Sequence, residues 1–180
     1  MRTIALFGGS FDPPHLGHEA VVTALLSLSE IDKVLIMPTF LNPFKSSSFA
    51  PAQKRLRWLK EIFCTYKNVF IDSFEVQKNE KVPTITTVEY LLESYDKVYV
   101  VIGADNLKDL QKWYKFDELK RKVVFIIASR DEITVPKEFK KLLVKQDISS
   151  TALRSTMNKD QLCKINAEEI MNYYKEKNDK

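Results

Sequence analysis

A chain of 180 residues, 44% hydrophobic and 29% charged, has the length and balance of one folded domain spanning 1–180, which excludes disordered and fibrous classes. Its net charge of +4 comes from lysines scattered over helical segments; this fits a solvated face with weak attraction for nucleotides and no nucleic-acid partner. Two cysteines without a CxxC pattern read as reduced and structural. No apolar run approaches membrane-spanning length, and a strand opening at once leaves no room for a signal peptide, so the expected location is the cytoplasm, with no membrane partner.

In chain order, residues 3–7 (Thr-Ile-Ala-Leu-Phe) predict a buried strand, and apolar residues recur at helical spacing from Glu19 to Leu26. Between them, Gly8-Gly9-Ser10-Phe11-Asp12-Pro13-Pro14-His15-Leu16-Gly17-His18 forms a strand-to-helix turn. Turns at the carboxyl ends of strands are where open parallel sheets bind ligands. Gly8 and Gly9 lack a Cβ, which permits unusual φ values and close approach of an anion. Asp12 before Pro13 predicts an N-cap and a helix starting near Pro13, with His15 equally able to be its first firm residue, and the open N–H groups of that start favour phosphate. His15 and His18 are the only histidines and share one face of the first turn. They could donate to phosphoryl oxygens or, protonated, neutralise charge that builds up in phosphoryl or nucleotidyl transfer. The spacing also suits zinc, but no Cys or third His lies nearby to complete such a site, so no protein-bound metal is expected. Packing of His18 under the sheet is the plain structural alternative.

Residues 33–38 predict a second strand buried on both faces, ending in a loop over residues 39–48. Within it Lys45 is either a mobile charge for a triphosphate or an exposed loop lysine. Residues 50–63 predict an amphipathic helix with Trp58 and Phe63 in the core, and residues 68–75 a third strand. Residues 77–81 read as a loop, and Pro83 opens a helix through Tyr95 capped by one of Thr84, Thr86 and Thr87. Residues 98–102 form a strand ending in Gly103, where Asp105 can cap the next helix. Trp113 lies in a polar context, where a flat ring suits stacking. Residues 122–129 predict a fifth strand, followed by a helix near 136–141 and a short sixth strand near 142–144. In the stretch 147–154, hydroxyl residues at a helix start precede Arg154 by one turn, a second phosphate cradle. Residues 166–176 close the chain as an amphipathic helix, so that the end from about residue 150 is helical. The fold class is α/β, doubly wound and Rossmann-like, a mostly parallel five- or six-stranded sheet with helices on both faces.

Gly9-x-Phe11-x-x-x-His15-x-Gly17-His18 resembles the signature of the nucleotidylyltransferase superfamily, and Ile148-Ser149-x-Thr151-x-Leu153-Arg154 resembles its second hallmark. Within that superfamily the chain is similar to the nicotinate mononucleotide adenylyltransferases from Ile4 to Arg154. The resemblance implies adenylyl transfer from ATP, accompanied by Mg²⁺, to nicotinate mononucleotide. It implies catalytic roles for His15, His18, Lys45 and Arg154, with Gly8, Gly9, Ser10, Phe11, Gly17, Gly103, Asp105, Ile148, Ser149 and Thr151 completing the ATP site. It further implies Asn42, Thr86 and Trp113 at the mononucleotide, Thr86 by matching the family threonine that meets the nicotinate carboxylate. Phe44 stands where the family commonly has His, and Ile85 where it has Tyr. The nearest rivals are the same chemistry on nicotinamide mononucleotide, phosphopantetheine or a polyol phosphate. A nucleotide sensor is disfavoured by the intact motifs, and a hydride-transfer enzyme by the missing GxGxxG.

Overall fold

The computed structural model describes residues 1–129, 134–146 and 148–178. Six strands form one sheet in the order β3-β2-β1-β4-β5-β6, and every neighbouring pair is parallel. They are β1 (Thr3–Gly9), β2 (Lys33–Pro38), β3 (Val69–Ile71), β4 (Lys97–Gly103), β5 (Val124–Ser129) and β6 (Lys140–Leu143). The chain builds outward from β1 on one side, returns to β4 beside it, then builds outward on the other. The order therefore reverses between β1 and β4, where Leu6 pairs with Val100 and Phe7 with Val101. That reversal opens a crevice at the carboxyl ends of the two central strands.

Because side chains alternate along a strand, each central strand feeds two cores. Phe7 and Val101 face α1 (Leu16–Leu26), α2 (Ala52–Ile62) and α7 (Ala167–Asn178), packing with Val22, Trp58 and Tyr174. Leu6 and Val100 face α4 (Thr84–Leu92) and α5 (Phe116–Lys122), packing with Val88 and Leu119. Burial on both faces accounts for the unbroken apolar runs of the central strands.

Four local expectations are corrected. The third strand stops at Ile71, because Asp72 Oδ1 accepts from Phe74 N at 2.8 Å and turns the chain into α3 (Phe74–Lys78). None of the three threonines caps α4; its N-cap is Pro83, and Thr87 donates instead to Glu75. No helix forms near residues 136–141: the Phe139 N–H bonds the Pro136 carbonyl in a turn, and Lys140 begins β6 along the open edge of β5. Asp105 does not cap a helix; the N-cap is Gly103, and residues Ala104–Lys112 form a 3₁₀ helix.

Candidate active site

The turn after β1 is built differently from a simple capped helix start. The Asp12–Pro13 peptide is cis, and the residue with positive φ is Phe11, at 48°, whereas no glycine has one. The conformational freedom expected of Gly8 and Gly9 is thus unused, and what the structure needs of Gly9 is space. A Cβ there would stand 3.3 Å from the Phe11 ring. Asp12, expected to cap the helix, is held elsewhere: its carboxylate accepts from Phe49 N at 2.7 Å, from Ala50 N at 3.0 Å and from the Tyr174 hydroxyl. The helix begins at Leu16 with His15 as N-cap of α1, three residues past Pro13 and one past His15, the two starts that the sequence allows.

The two histidines cap that helix reciprocally. Gly17 N donates to His15 Nδ1 at 3.1 Å, and His15 N donates to His18 Nδ1 at 3.2 Å. A backbone N–H can only donate, so each Nδ1 is the bare nitrogen and each proton sits on Nε2. The rings stack with centroids 3.7 Å apart and planes 24° apart. His18 is held well below the ordinary imidazole pKa, first by burial and then by repulsion from His15. His18 is therefore a neutral Nε2–H donor at neutral pH, not a cation. Gly17 makes the stacking possible: a Cβ there would lie 2.9 Å from the His15 ring.

From the far end of the chain, α6 (Ser150–Thr156) is brought against the same turn. Ser149 caps it by accepting from Ala152 N at 3.1 Å, and Ser150 Oγ donates to the Pro13 carbonyl at 3.2 Å. The Arg154 guanidinium donates to the Asp12 carbonyl at 2.5 Å and to Thr151 Oγ1 at 3.1 Å, and it lies 4.4 Å from the Phe49 ring centroid. Lys45 joins this group: its ammonium is shifted down by desolvation and by repulsion from Arg154 and Arg55, with Asp12 opposing. A polyphosphate would relieve that crowding of cations.

These groups line one cleft of about 690 Å³ over the β1–β4 reversal. Every expected site residue lines it except Thr86. Thr86 is exposed on the outer side of α4, and Thr84 lines the cleft in its place. The reason is rotational, since two residues along a helix turn a side chain by about 200°. Asn42 lines the cleft, and its Oδ1 accepts from Phe44 N at 2.9 Å, shaping the loop. Gly103, Asp105, Ile148 and Thr151 also line it; Asp147, which opens the second motif's stretch, lies outside the described residues. The cleft has two sides. His15, His18, Ser149 and Arg154 stand on the face of the sheet that carries α1. Val82, Thr84 and Trp113 stand on the face that carries α4, where Trp113 packs edge-on against Phe125.

Three residues at this site were not singled out from the sequence. Arg55 is fully buried and donates to the carbonyls of Ala50 (3.0 Å), Ser10 (2.5 Å), Thr39 (2.9 Å) and Phe40 (2.9 Å). It fastens the loop bearing Lys45 to the turn bearing the histidines. The sequence holds a signal for it, an arginine at helical spacing with Leu59 and Ile62 on the apolar stripe of α2. Tyr174 reaches Asp12 across 162 positions, and no local pattern marks it. Glu75 lies in the cleft wall, and Thr87 donates to it.

A cleft rich in donors for a polyphosphate, set at the reversal point of a doubly wound sheet, defines a nucleotidyltransferase. The family model described as cytidylyltransferase-like matches residues 6–156, and the chain belongs to that family. It is 55% identical to the probable nicotinate-nucleotide adenylyltransferase of Sulfurimonas denitrificans, over 98% of this chain and 97% of that one. The corresponding protein of Nitratiruptor is 48% identical over 96% of this chain and 98% of its own. In fold the chain is similar to the Plasmodium falciparum nicotinic acid mononucleotide adenylyltransferase solved with NaAD. That likeness has a TM-score of 0.75 at 22% identity and covers 99% of this chain and 97% of the other.

Proposed function

We propose that this protein transfers the adenylyl group of ATP to nicotinate mononucleotide, releasing pyrophosphate and forming nicotinate adenine dinucleotide, a step of NAD synthesis. The observation that carries the reading is the convergence of the His15–His18 pair and Arg154 on one cleft whose other side offers Trp113 and Thr84. Curated relatives at 55% and 48% identity bear the corresponding name. The phosphate of the mononucleotide attacks the α-phosphorus of ATP in line; a new P–O bond forms as the bond to the β-phosphate breaks. No protein nucleophile is required, so the residues act by placing the reactants and stabilising charge.

His15 and His18 donate from Nε2 to the α-phosphate oxygens, where negative charge grows. Lys45 and Arg154 hold the β and γ groups that leave. Gly8, Gly9, Ser10, Phe11 and Gly17 shape the turn beneath the triphosphate, while Gly103, Asp105, Ile148, Ser149 and Thr151 flank the nucleoside. Trp113 stacks on the pyridine, with Thr84 and Asn42 beside it. Mg²⁺ arrives with ATP as part of the substrate. Among the described residues no group of three or more His, Cys, Asp or Glu stands together, and the Asp12 carboxylate is already occupied by two N–H groups and a hydroxyl. No helix among the described residues is long and apolar enough to cross a membrane, and the enzyme is proposed to act in the cytoplasm as a single domain.

The test is to incubate the purified protein with ATP and Mg²⁺ and each mononucleotide separately, and to identify the product. Nicotinate adenine dinucleotide with stoichiometric pyrophosphate is expected. His18→Ala should lower kcat by about 10²–10³, the usual effect of removing one donor to a developing charge. Hydrolysis of ATP without an acceptor, or near-normal turnover by His18→Ala, would overturn the reading.

A further inference from the structure

Among the described residues, two buried side-chain oxygens have no hydrogen-bond partner, Thr39 Oγ1 and Glu75 Oε2. Both residues line the cleft. Buried polar atoms in folded proteins are nearly always paired, so two orphans on residues that line one cleft point to a polar ligand group. Glu75 carries the argument furthest. It is 5% exposed, and Oε1 accepts a 2.6 Å hydrogen bond from the Thr87 hydroxyl. Thr87 and Thr84 stand three positions apart on α4 and so share a face. The carboxyl therefore lies on the Thr84 and Trp113 side of the sheet, where its chain neighbour Phe74 packs against the same apolar cluster as Trp113.

Most charged groups on the surrounding elements are engaged elsewhere, and Lys60 of α2 is exposed to solvent. On α2, Arg55 holds four carbonyls, while Lys54, Arg57 and Glu61 pair with Glu169 or with each other. On β2, Lys33 sits over the Phe70 ring, and on α3 itself Lys78 sits over Phe74. On α4, Glu89 pairs with Lys122. Asp72 accepts from Phe74 N and the Tyr90 hydroxyl, and Lys81 donates to the Pro43 carbonyl. Burial is what pushes Glu75 up, to about 7, with the Thr87 hydroxyl pulling the other way.

We infer that Glu75 reads the substituent on the pyridine ring of the acceptor: as a neutral acid its Oε2–H donates to a carboxylate, and as an anion Oε2 accepts from a carboxamide. One residue thereby sets the preference for the acid over the amide mononucleotide. The inference rests on the reading of the cleft as that of a mononucleotide adenylyltransferase. Its sign is fixed by chemistry. Below the Glu75 midpoint the neutral carboxyl favours the acid; above it, two carboxylates repel and the amide gains.

The experiment measures kcat/KM for nicotinate and nicotinamide mononucleotides at saturating ATP and Mg²⁺. Both acceptors carry the same phosphate, so their ratio cancels the titrations they share. The acid-to-amide ratio should fall by about tenfold or more between about pH 6 and about pH 8.5, with a midpoint near that of Glu75, and the change should sit in KM. Glu75→Gln keeps the shape and a donor but cannot ionise, so its ratio should be flat with pH. Thr87→Val removes the hydroxyl that favours the anion, so its midpoint should move to higher pH. A flat ratio in the wild type, an unchanged slope in Glu75→Gln, or a midpoint unmoved in Thr87→Val would overturn the role of Glu75 while leaving the adenylyl transfer intact. Formation of no dinucleotide from either acceptor would overturn the functional reading itself.

Discussion

Replacing Arg55 with Met removes the clasp between the loops that form the cleft and keeps most of the side-chain volume. In the native protein the guanidinium donates to four carbonyls, those of Ala50, Ser10, Thr39 and Phe40; burial holds its pKa below the ordinary guanidinium value, with the nearby Asp12 carboxylate opposing that shift. Methionine leaves these carbonyls without that donor and Asp12 without its neighbouring cation. Each hydrogen bond from a charged donor contributes about 1.5–3 kcal/mol net, but four bonds to one guanidinium are not additive. Against this stands the cost of desolvating the cation, which Met avoids. Removing one partner of a buried ionic cluster costs on the order of 3–5 kcal/mol, and we expect a loss of about 3–4 kcal/mol. For a chain of this size that corresponds to a fall in Tm of about 10 °C. Urea unfolding followed by circular dichroism gives the value, with the slope m reporting that the two-state transition is preserved. Arg55→Lys should recover less than half, since one ammonium cannot fork to carbonyls on separate loops. A loss within about 0.5 kcal/mol, the range of ordinary surface substitutions, would refute the clasp.

Gly17→Ala should displace the His15 ring that its Cβ would meet at 2.9 Å, destabilising the fold by about 1–3 kcal/mol and lowering kcat/KM for ATP at least tenfold; kinetics and urea unfolding check both. Thr84→Val should raise KM for the mononucleotide severalfold, whereas Thr86→Val, on the outer face of α4, should leave it unchanged. His18, held well below the usual imidazole value, stays neutral in the folded state where the unfolded chain already takes up a proton. Stability should therefore fall as pH drops below about 6.5, by up to about 1.4 kcal/mol per unit. His18→Asn should remove that slope in urea titrations at several pH values.

The strands were legible where burial on both faces leaves an unbroken apolar run, as in β1, β2, β4 and β5. They were not legible where a long-range partner decides. A short sixth strand near 142–144 was legible, but the charged run from Lys137 to Lys141 suits a helix as well as a strand, and only the open edge of β5 fixes that β6 begins at Lys140. Phe74 and Glu75 looked like the end of a strand because the Asx turn at Asp72 is a single hydrogen bond. In the site, spacing alone paired His15 with His18, since reciprocal capping is a local affair. Asp12 was misread because its partners, Ala50 and Tyr174, are distant in sequence. Thr84 rather than Thr86 lines the cleft, because a pattern match does not fix helical rotation.

The alternation of side chains along the two central strands has an evolutionary corollary. Leu6 and Phe7 are consecutive, yet one belongs to the core beneath the Trp113 side of the cleft and the other to the core beneath the histidines. The pleat thus insulates the two halves of the catalytic groove, each resting on its own cushion of packing. Acceptor preference can drift through changes on one face while the triphosphate grip on the opposite face is inherited intact.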